Sequence, residues 1–199
     1  MTTSDRTALN ANIGLSNGEA LKPQEVFRKD YAPLPYLVEE TRLNFDLRDG
    51  KTTVVAELKI VPNSAATEAS GKDFVLDGEE DSVKLFSLKV GGKDLVKGED
   101  YELVPGKLIL KEHLFAELET GDSFVSLQTE VEIVPEANTQ LSGLYKSGGM
   151  YCSQCEAMGF RRITYYPDRP DIMSAFKSVR IEADKTNYPV LLSNGNLIE

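Results

Sequence analysis

One histidine and two cysteines are the only imidazole and thiol ligands that the 199 residues offer a transition metal. A structural zinc site takes four ligands; Cys152 and Cys155 supply two, and no second pair joins them. The segment Lys111-Glu112-His113-Leu114-Phe115-Ala116-Glu117 is not a zinc-protease helix, whose His-Glu-x-x-His pattern needs two histidines one turn apart. His113 reads as a partly exposed residue near a turn. Nor do two cysteines three apart make a secreted disulfide framework, which spreads several along the chain. Reduced thiols in a reducing compartment fit better. A thioredoxin-type pair opens a helix inside a βαβ unit, and helix signals are scarce here. No metal and no cofactor are expected in this chain.

An excess of basic charge is missing too. Lys and Arg number 22 against 32 Asp and Glu, a formal charge of −10, which repels a phosphate backbone and argues against nucleic acid. Cationic ligands or partners are the natural expectation. No apolar run approaches the roughly 20 residues that span a bilayer, and the N-terminus lacks the charged-then-apolar layout of a secretory signal. A cytoplasmic protein without a membrane partner is expected. There is no internal repeat and no low-complexity tract.

What is present is enough apolar residue, 41%, for a packed core. Residues 1–28 have little periodic apolar content and read as a mobile extension with one helical turn around Pro23 to Phe27. Residues 29–199 read as one domain, and Pro33 and Pro35 bias its start toward extended backbone. Leu37, Glu39, Thr41, Leu43, Phe45 and Leu47 alternate against Val38, Glu40, Arg42, Asn44 and Asp46, the period of a strand with one buried face. Asp49-Gly50 then signals a hairpin turn, and Thr52 to Val61 returns. Further strands are expected at Phe74 to Leu76, Val83 to Val90, Asp94 to Lys97, Tyr101 to Val104 and Leu108 to Leu110. Ser123 to Val134 alternates cleanly, with Val125, Leu127, Thr129, Val131 and Ile133 on one side. Val179 to Asp184 and Tyr188 to Ser193 supply the last strands. One helical turn is expected over His113 to Leu118, and a short helix over Asp168 to Phe176 with Asp168 at its cap and Pro170 in its first turn. The expected fold is mostly β: an antiparallel sandwich or open sheet with one or two short helical turns.

Residues 150–171 concentrate the chemistry: both cysteines, Gln154 and Glu156, Arg161 and Arg162, and the adjacent Tyr165 and Tyr166. The tyrosines read as core or rim aromatics. Glu156 stays open between two readings, a surface ion pair with Arg161 or Arg162, or a carboxylate held in a cleft to receive a cation.

The same stretch resembles the N-terminal domain of the aminopeptidase N family, the gluzincin zinc aminopeptidases, in their bacterial, plant and protist branch. The matching residues are Leu141-Ser142-Gly143-Leu144-Tyr145, Cys152-Ser153-Gln154-Cys155-Glu156-Ala157, Gly159-Phe160-Arg161, Ile163-Thr164-Tyr165-Tyr166, Asp168-Arg169-Pro170-Asp171 and Tyr188 to Asn196. The resemblance implies a saddle-shaped β domain that covers a catalytic domain. It implies that Glu156 binds the free α-amino group of a peptide substrate, with Gln154 beside it near the first side-chain pocket. The family's Gly-x-Met-Glu-Asn segment, its His-Glu-x-x-His helix and its later zinc-binding glutamate do not occur in these residues. The resemblance therefore implies a piece of a longer peptidase, with zinc and the catalytic domain as partners outside it, and no hydrolysis by these residues alone. The rival reading is a non-catalytic β module that holds a basic or N-terminal amine partner.

Overall fold

The structure, a computed structural model, describes residues 27–120 and 124–198. Most of the expected N-terminal extension, with its helical turn, lies outside the described residues. The chain divides into two units, residues 1–31 and 32–199. Of the first, the described residues form a 3-10 turn, Arg28–Asp30. The second unit holds all the strands found among the described residues.

Its centre is the expected hairpin, β1 (Tyr36–Arg48) and β2 (Lys51–Pro62), joined at Asp49-Gly50 with Gly50 at φ 77°. Pro62 ends the ladder, and the Asn63 side chain closes the edge by donating to the Leu34 carbonyl at 2.7 Å. Next along the chain come β3 (Phe74–Asp77), β4 (Lys84–Val90), β5 (Lys93–Asp94), β6 (Tyr101–Val104), β7 (Lys107–Leu110) and β8 (Val125–Ile133). A separate hairpin, β9 (Gly143–Ser147) and β10 (Met150–Gln154), precedes the last strand, β11 (Ala175–Ala183). Six strands make one sheet in the order β11-β1-β2-β8-β4-β5, and three make a second, β3-β7-β6.

One cluster of buried residues joins these two sheets. The alternation of β8 is realised without a fault, since Val125, Leu127, Thr129, Val131 and Ile133 are all buried. The buried Thr129 hydroxyl meets that of Thr164 at 3.1 Å, so its polar atom is not left unpaired. From the second sheet come Phe74, Leu76, Leu108 and Leu110, and beside them Phe115 stacks on Tyr36 with ring centres 4.4 Å apart. Each such side chain contributes about 1.5–3 kcal/mol by leaving water. Phe115 is delivered by a 3-10 turn, Glu112–Phe115, that runs into α1 (Ala116–Thr120), close to the helical turn expected there.

Four expectations need correction. The alternation of β1 is interrupted at Glu39, where the pairing jumps from Val38 opposite Ile60 to Glu40 opposite Lys59. This bulge sends Val38 into the core and leaves Leu37 only half-buried, the reverse of an unbroken period. Residues 168–174 form no helix. The Asp168 carboxylate accepts from Arg161 instead of capping following amides, and from Ala175 the chain joins β1 as β11. That pairing is parallel, whereas every other strand ladder is antiparallel. Residues 188–193 form no strand; Pro189 removes a ladder donor, and Val190 and Leu192 stand exposed. The expected return strand at 94–97 shrinks to Lys93–Asp94, because the Val96 amide turns to the Asp100 carboxylate at 2.8 Å.

Candidate functional site

The hairpin of β9 and β10 is not among the strands expected from the sequence. Its signal is present all the same: Gly148-Gly149, at φ 56° and 85°, turn the chain between two runs that alternate around tyrosines.

The turn end of the hairpin is fixed by charge. Lys146 bonds to Asp49 at the β1–β2 turn and lies over the rings of Tyr151 and Tyr188, 5.1 and 5.3 Å from their centres. The Tyr188 hydroxyl donates to Asp49 at 2.6 Å, and that of Tyr151 to Glu136 at 3.1 Å. Hydrogen bonds from Lys146 and then Tyr188 hold the Asp49 carboxyl below its ordinary range, and the Asp49 bond in turn raises the Lys146 ammonium. Burial first, then Glu136, pushes the Tyr151 phenol up.

The root of the hairpin carries Gln154, opposite Gly143, and then Cys155 and Glu156. Cys155 is half-buried and packs against the core, while Gln154 and Glu156 on either side are exposed. Gln154 ends β10 and Glu156 opens the turn that follows, so both side chains reach solvent on either side of the half-buried thiol. Burial, then the nearby Asp168 charge, pushes the Cys155 thiol up, which disfavours the thiolate that redox or metal chemistry needs. Both cysteines are free.

Two glycines let this loop lie flat on the hairpin. The Gly159 amide donates to the Cys155 carbonyl at 3.0 Å, closing a turn across Met158, which stands at φ 66°. A Cβ on Gly159 would sit 2.7 Å from the Gln154 carbonyl and 2.8 Å from the Ser142 hydroxyl. Gly143, at φ 80°, would press its Cβ to 2.6 Å from that of Arg162.

Neither arginine pairs with Glu156. Arg161 donates through its amide and Nε to the Asp168 carboxylate, both at 3.1 Å, and through Nη2 to the Asp168 carbonyl at 2.8 Å, with Asp77 3.6 Å away. Arg162 donates to the Ser82 hydroxyl at 2.9 Å and lies near Glu79 and Asp81. Among the described residues Glu156 forms no ion pair and no hydrogen bond, which removes the ion-pair reading. Tyr165 and Tyr166 are buried as core aromatics, and Tyr166 exchanges both backbone bonds with Asp77, at 2.8 and 3.0 Å.

His113 is exposed, with Nε2 2.9 Å from Asp100. Among the described residues no three His, Cys, Asp or Glu side chains gather as metal ligands. No described helix is long and apolar enough to cross a membrane. A cavity of about 300 Å³ lies between Ser82, Asn138, Leu144 and Arg162, and neither Gln154 nor Glu156 lines it.

The model of the Peptidase M1 N-terminal domain matches residues 49–199, and the chain belongs to that family. Aminopeptidase N of Caulobacter vibrioides is 48% identical over 174 residues, covering 87% of this chain and 18% of the relative. Aminopeptidase N of Escherichia coli is 39% identical over 177 residues, covering 89% and 18%. Among solved structures, Legionella pneumophila aminopeptidase A in complex with aspartic acid is similar at 36% identity and a TM-score of 0.71, covering 86% of this chain and 19% of that one. An M1 zinc metallopeptidase from Deinococcus radiodurans, 15% identical with a TM-score of 0.55, shares the fold over 76% of this chain and 34% of its own. The chain thus spans about 18% of the length of the curated relatives it matches.

Proposed function

We propose that residues 29–199 serve a cytoplasmic zinc aminopeptidase as its substrate-recognition domain, residues 1–28 being an extension outside that role. In this reading Glu156 accepts the free α-amino group of a peptide, with Gln154 beside it. The observation that carries the reading is the exposed Glu156 carboxylate, without a partner among the described residues although two arginines follow it closely. The relatives named aminopeptidase N support the reaction class.

An ammonium bound to an open carboxylate gains about 0–1 kcal/mol, because water screens the pair. Covering the cleft raises the interaction to about 4 kcal/mol at 4 Å and an effective dielectric of 20. Glu156 therefore gains strength from whatever closes over it, which is the role of the catalytic domain as a partner. Anchoring the amine fixes where the first peptide bond lies, which is a positioning contribution. Glu156 is an anchor and not a general base. Zinc bound in that partner domain would supply the Lewis acid; the described residues of this chain do not fit the ion.

In an enzyme assembled from this chain and the remainder of an M1 aminopeptidase, Glu156→Ala should lower kcat/KM on aminoacyl arylamides about 100-fold, the equivalent of ~2.7 kcal/mol, chiefly through KM. A change below threefold would refute the anchor. The 199-residue chain alone, with zinc added, should show no turnover, and robust turnover would sink that half of the proposal.

A further inference from the structure

Among the described residues, the hairpin that carries Gln154 shares no ladder with either of the other sheets. Two strands by themselves are marginal in water, so the seat of this hairpin is set by what holds it from outside. The buried Leu144 attaches it to the core, but apolar contact is non-directional and leaves tilt and slide unfixed. Hydrogen bonds demand direction, and they come from one short segment after β8. There Pro135–Ala137 form a 3-10 turn on the buried Pro135, and Asn138 follows it.

Asn138 acts at the root of the hairpin. Its Nδ2 donates to the Ser142 carbonyl at 2.7 Å and to the Leu144 carbonyl at 2.9 Å, while its Oδ1 accepts from the Gln140 amide at 3.1 Å. Both protons of the primary amide are thereby used, one on each side of Gly143, and Gly143 is the ladder partner of Gln154. One side chain gives β9 the two donors that a neighbouring strand would otherwise supply. Glu136, from the same turn, acts at the far end: it accepts from the Tyr151 hydroxyl at 3.1 Å and lies 3.5 Å from Lys146, which also bonds to Asp49. Thr52 of β2 pairs with Ile133 of β8, so the β1–β2 turn and the end of β8 stand side by side, and one end of the large sheet holds both ends of the hairpin. The loop bearing Glu156 is pressed on the root, where a Cβ on Gly159 would meet the Gln154 carbonyl at 2.7 Å. A shift of β9 therefore passes through Gly143 and Gln154 to Glu156.

Resting on the reading of Glu156 as an amine anchor, we propose that Asn138 and Lys146 are positioning residues for it, fixing the hairpin to the large sheet at its root and at its turn. Neither touches substrate. They hold the Glu156 carboxylate where it meets an ammonium in a charge-assisted hydrogen bond, and a misplacement of about 1 Å forfeits much of that contact.

A double-mutant cycle with Glu156, read by the kinetics of the assembled enzyme on aminoacyl arylamides, separates positioning from folding. Asn138→Ala should lower kcat/KM about tenfold, through KM, with kcat within about twofold. In a Glu156→Ala background the same change should cost less than about twofold, because an absent anchor cannot be displaced. Lys146→Met should cost about threefold with Glu156 in place and less than about twofold without it, and it carries the cycle where Asn138→Ala does not fold. A residue whose replacement costs the same in both backgrounds serves folding alone, and its positioning role is overturned. If Glu156→Ala costs about tenfold or more while Asn138→Ala and Lys146→Met each cost less than about twofold, positioning is overturned and the anchor stands. If Glu156→Ala itself costs less than about threefold, the anchor fails, and the positioning role falls with it.

Discussion

Gly159 and Gly148 separate two reasons for keeping a glycine, and replacing each with alanine weighs them. Gly159 has an ordinary backbone, φ −93° and ψ −14°, that any residue adopts. Its obstacle is space: the added methyl would meet the Gln154 carbonyl at 2.7 Å, the Ser142 hydroxyl at 2.8 Å and the Cys155 Cα at 2.9 Å. Two of these three atoms are backbone, so relief requires the hairpin root and the loop to part. Forced overpacking of this kind costs about 1–3 kcal/mol, partly offset by the ~0.4–1 kcal/mol that alanine gains by restricting the unfolded chain. Gly148 is the opposite case, at φ 56° with nothing within 4 Å of its Cβ, and alanine there costs about 1–2 kcal/mol of backbone strain alone. A domain of this size loses about 2–4 °C of Tm per kcal/mol. Both variants should therefore melt several degrees below the parent by circular dichroism. They part in where the structure moves. Gly159→Ala should shift the amide resonances of residues 153–157 and weaken amine binding at Glu156, whereas Gly148→Ala should leave those resonances in place. Unchanged 153–157 resonances together with an unchanged Tm in Gly159→Ala would refute the close-contact argument.

Arg161→Ala strands the partly buried Asp168 carboxylate, while Asp77 keeps Lys107 at 3.3 Å, and should cost about 3 kcal/mol in urea unfolding; a loss below about 1 kcal/mol would show that the Arg161–Asp168 pair adds little. Asp49 titrates lower folded than unfolded, so its contribution is present above its unfolded pKa near 3.8 and is lost as pH falls through the lower folded value. Stability should therefore drop below about pH 4, and Asp49→Asn should flatten that part of the profile; equal slopes in parent and variant would contradict the assignment. Leu127→Ala, at a fully buried position, should cost about 2–5 kcal/mol, and a smaller loss would mean that the core collapses around the gap.

How far the sequence could be read depends on how far apart the deciding residues lie. β8 was legible because its pattern is local and nothing interrupts it. In β1 the phase shift at Glu39 was hidden, since an inserted residue in a ladder shows only against its partner strand. Asp168 and Pro170 do make a reasonable helix start, and the helix failed because Arg161 had already engaged the Asp168 carboxylate. The parallel seat of β11 was equally out of reach, because pattern alone does not reveal which edge remains open. Gln154 and Glu156 were found through the family resemblance, but that Glu156 is unpaired was not. It depends on Asp77, Glu79 and Asp81, roughly eighty residues earlier, taking part in holding the two arginines that stand so near Glu156 in sequence.

The parallel pairing of β11 with β1 also sets a timetable. On the ribosome β1 emerges early, and β2 can fold back on it at once. Its other edge, from Glu40 to Leu47, stays open until residues 175–183 have cleared the exit tunnel. At ordinary rates of synthesis, about 5–20 residues per second, that interval lasts about 7–30 seconds. Throughout it the nascent chain presents an unpaired strand edge bearing Leu43 and Phe45 to the cell, an opening suited to chaperones and to neighbouring nascent chains.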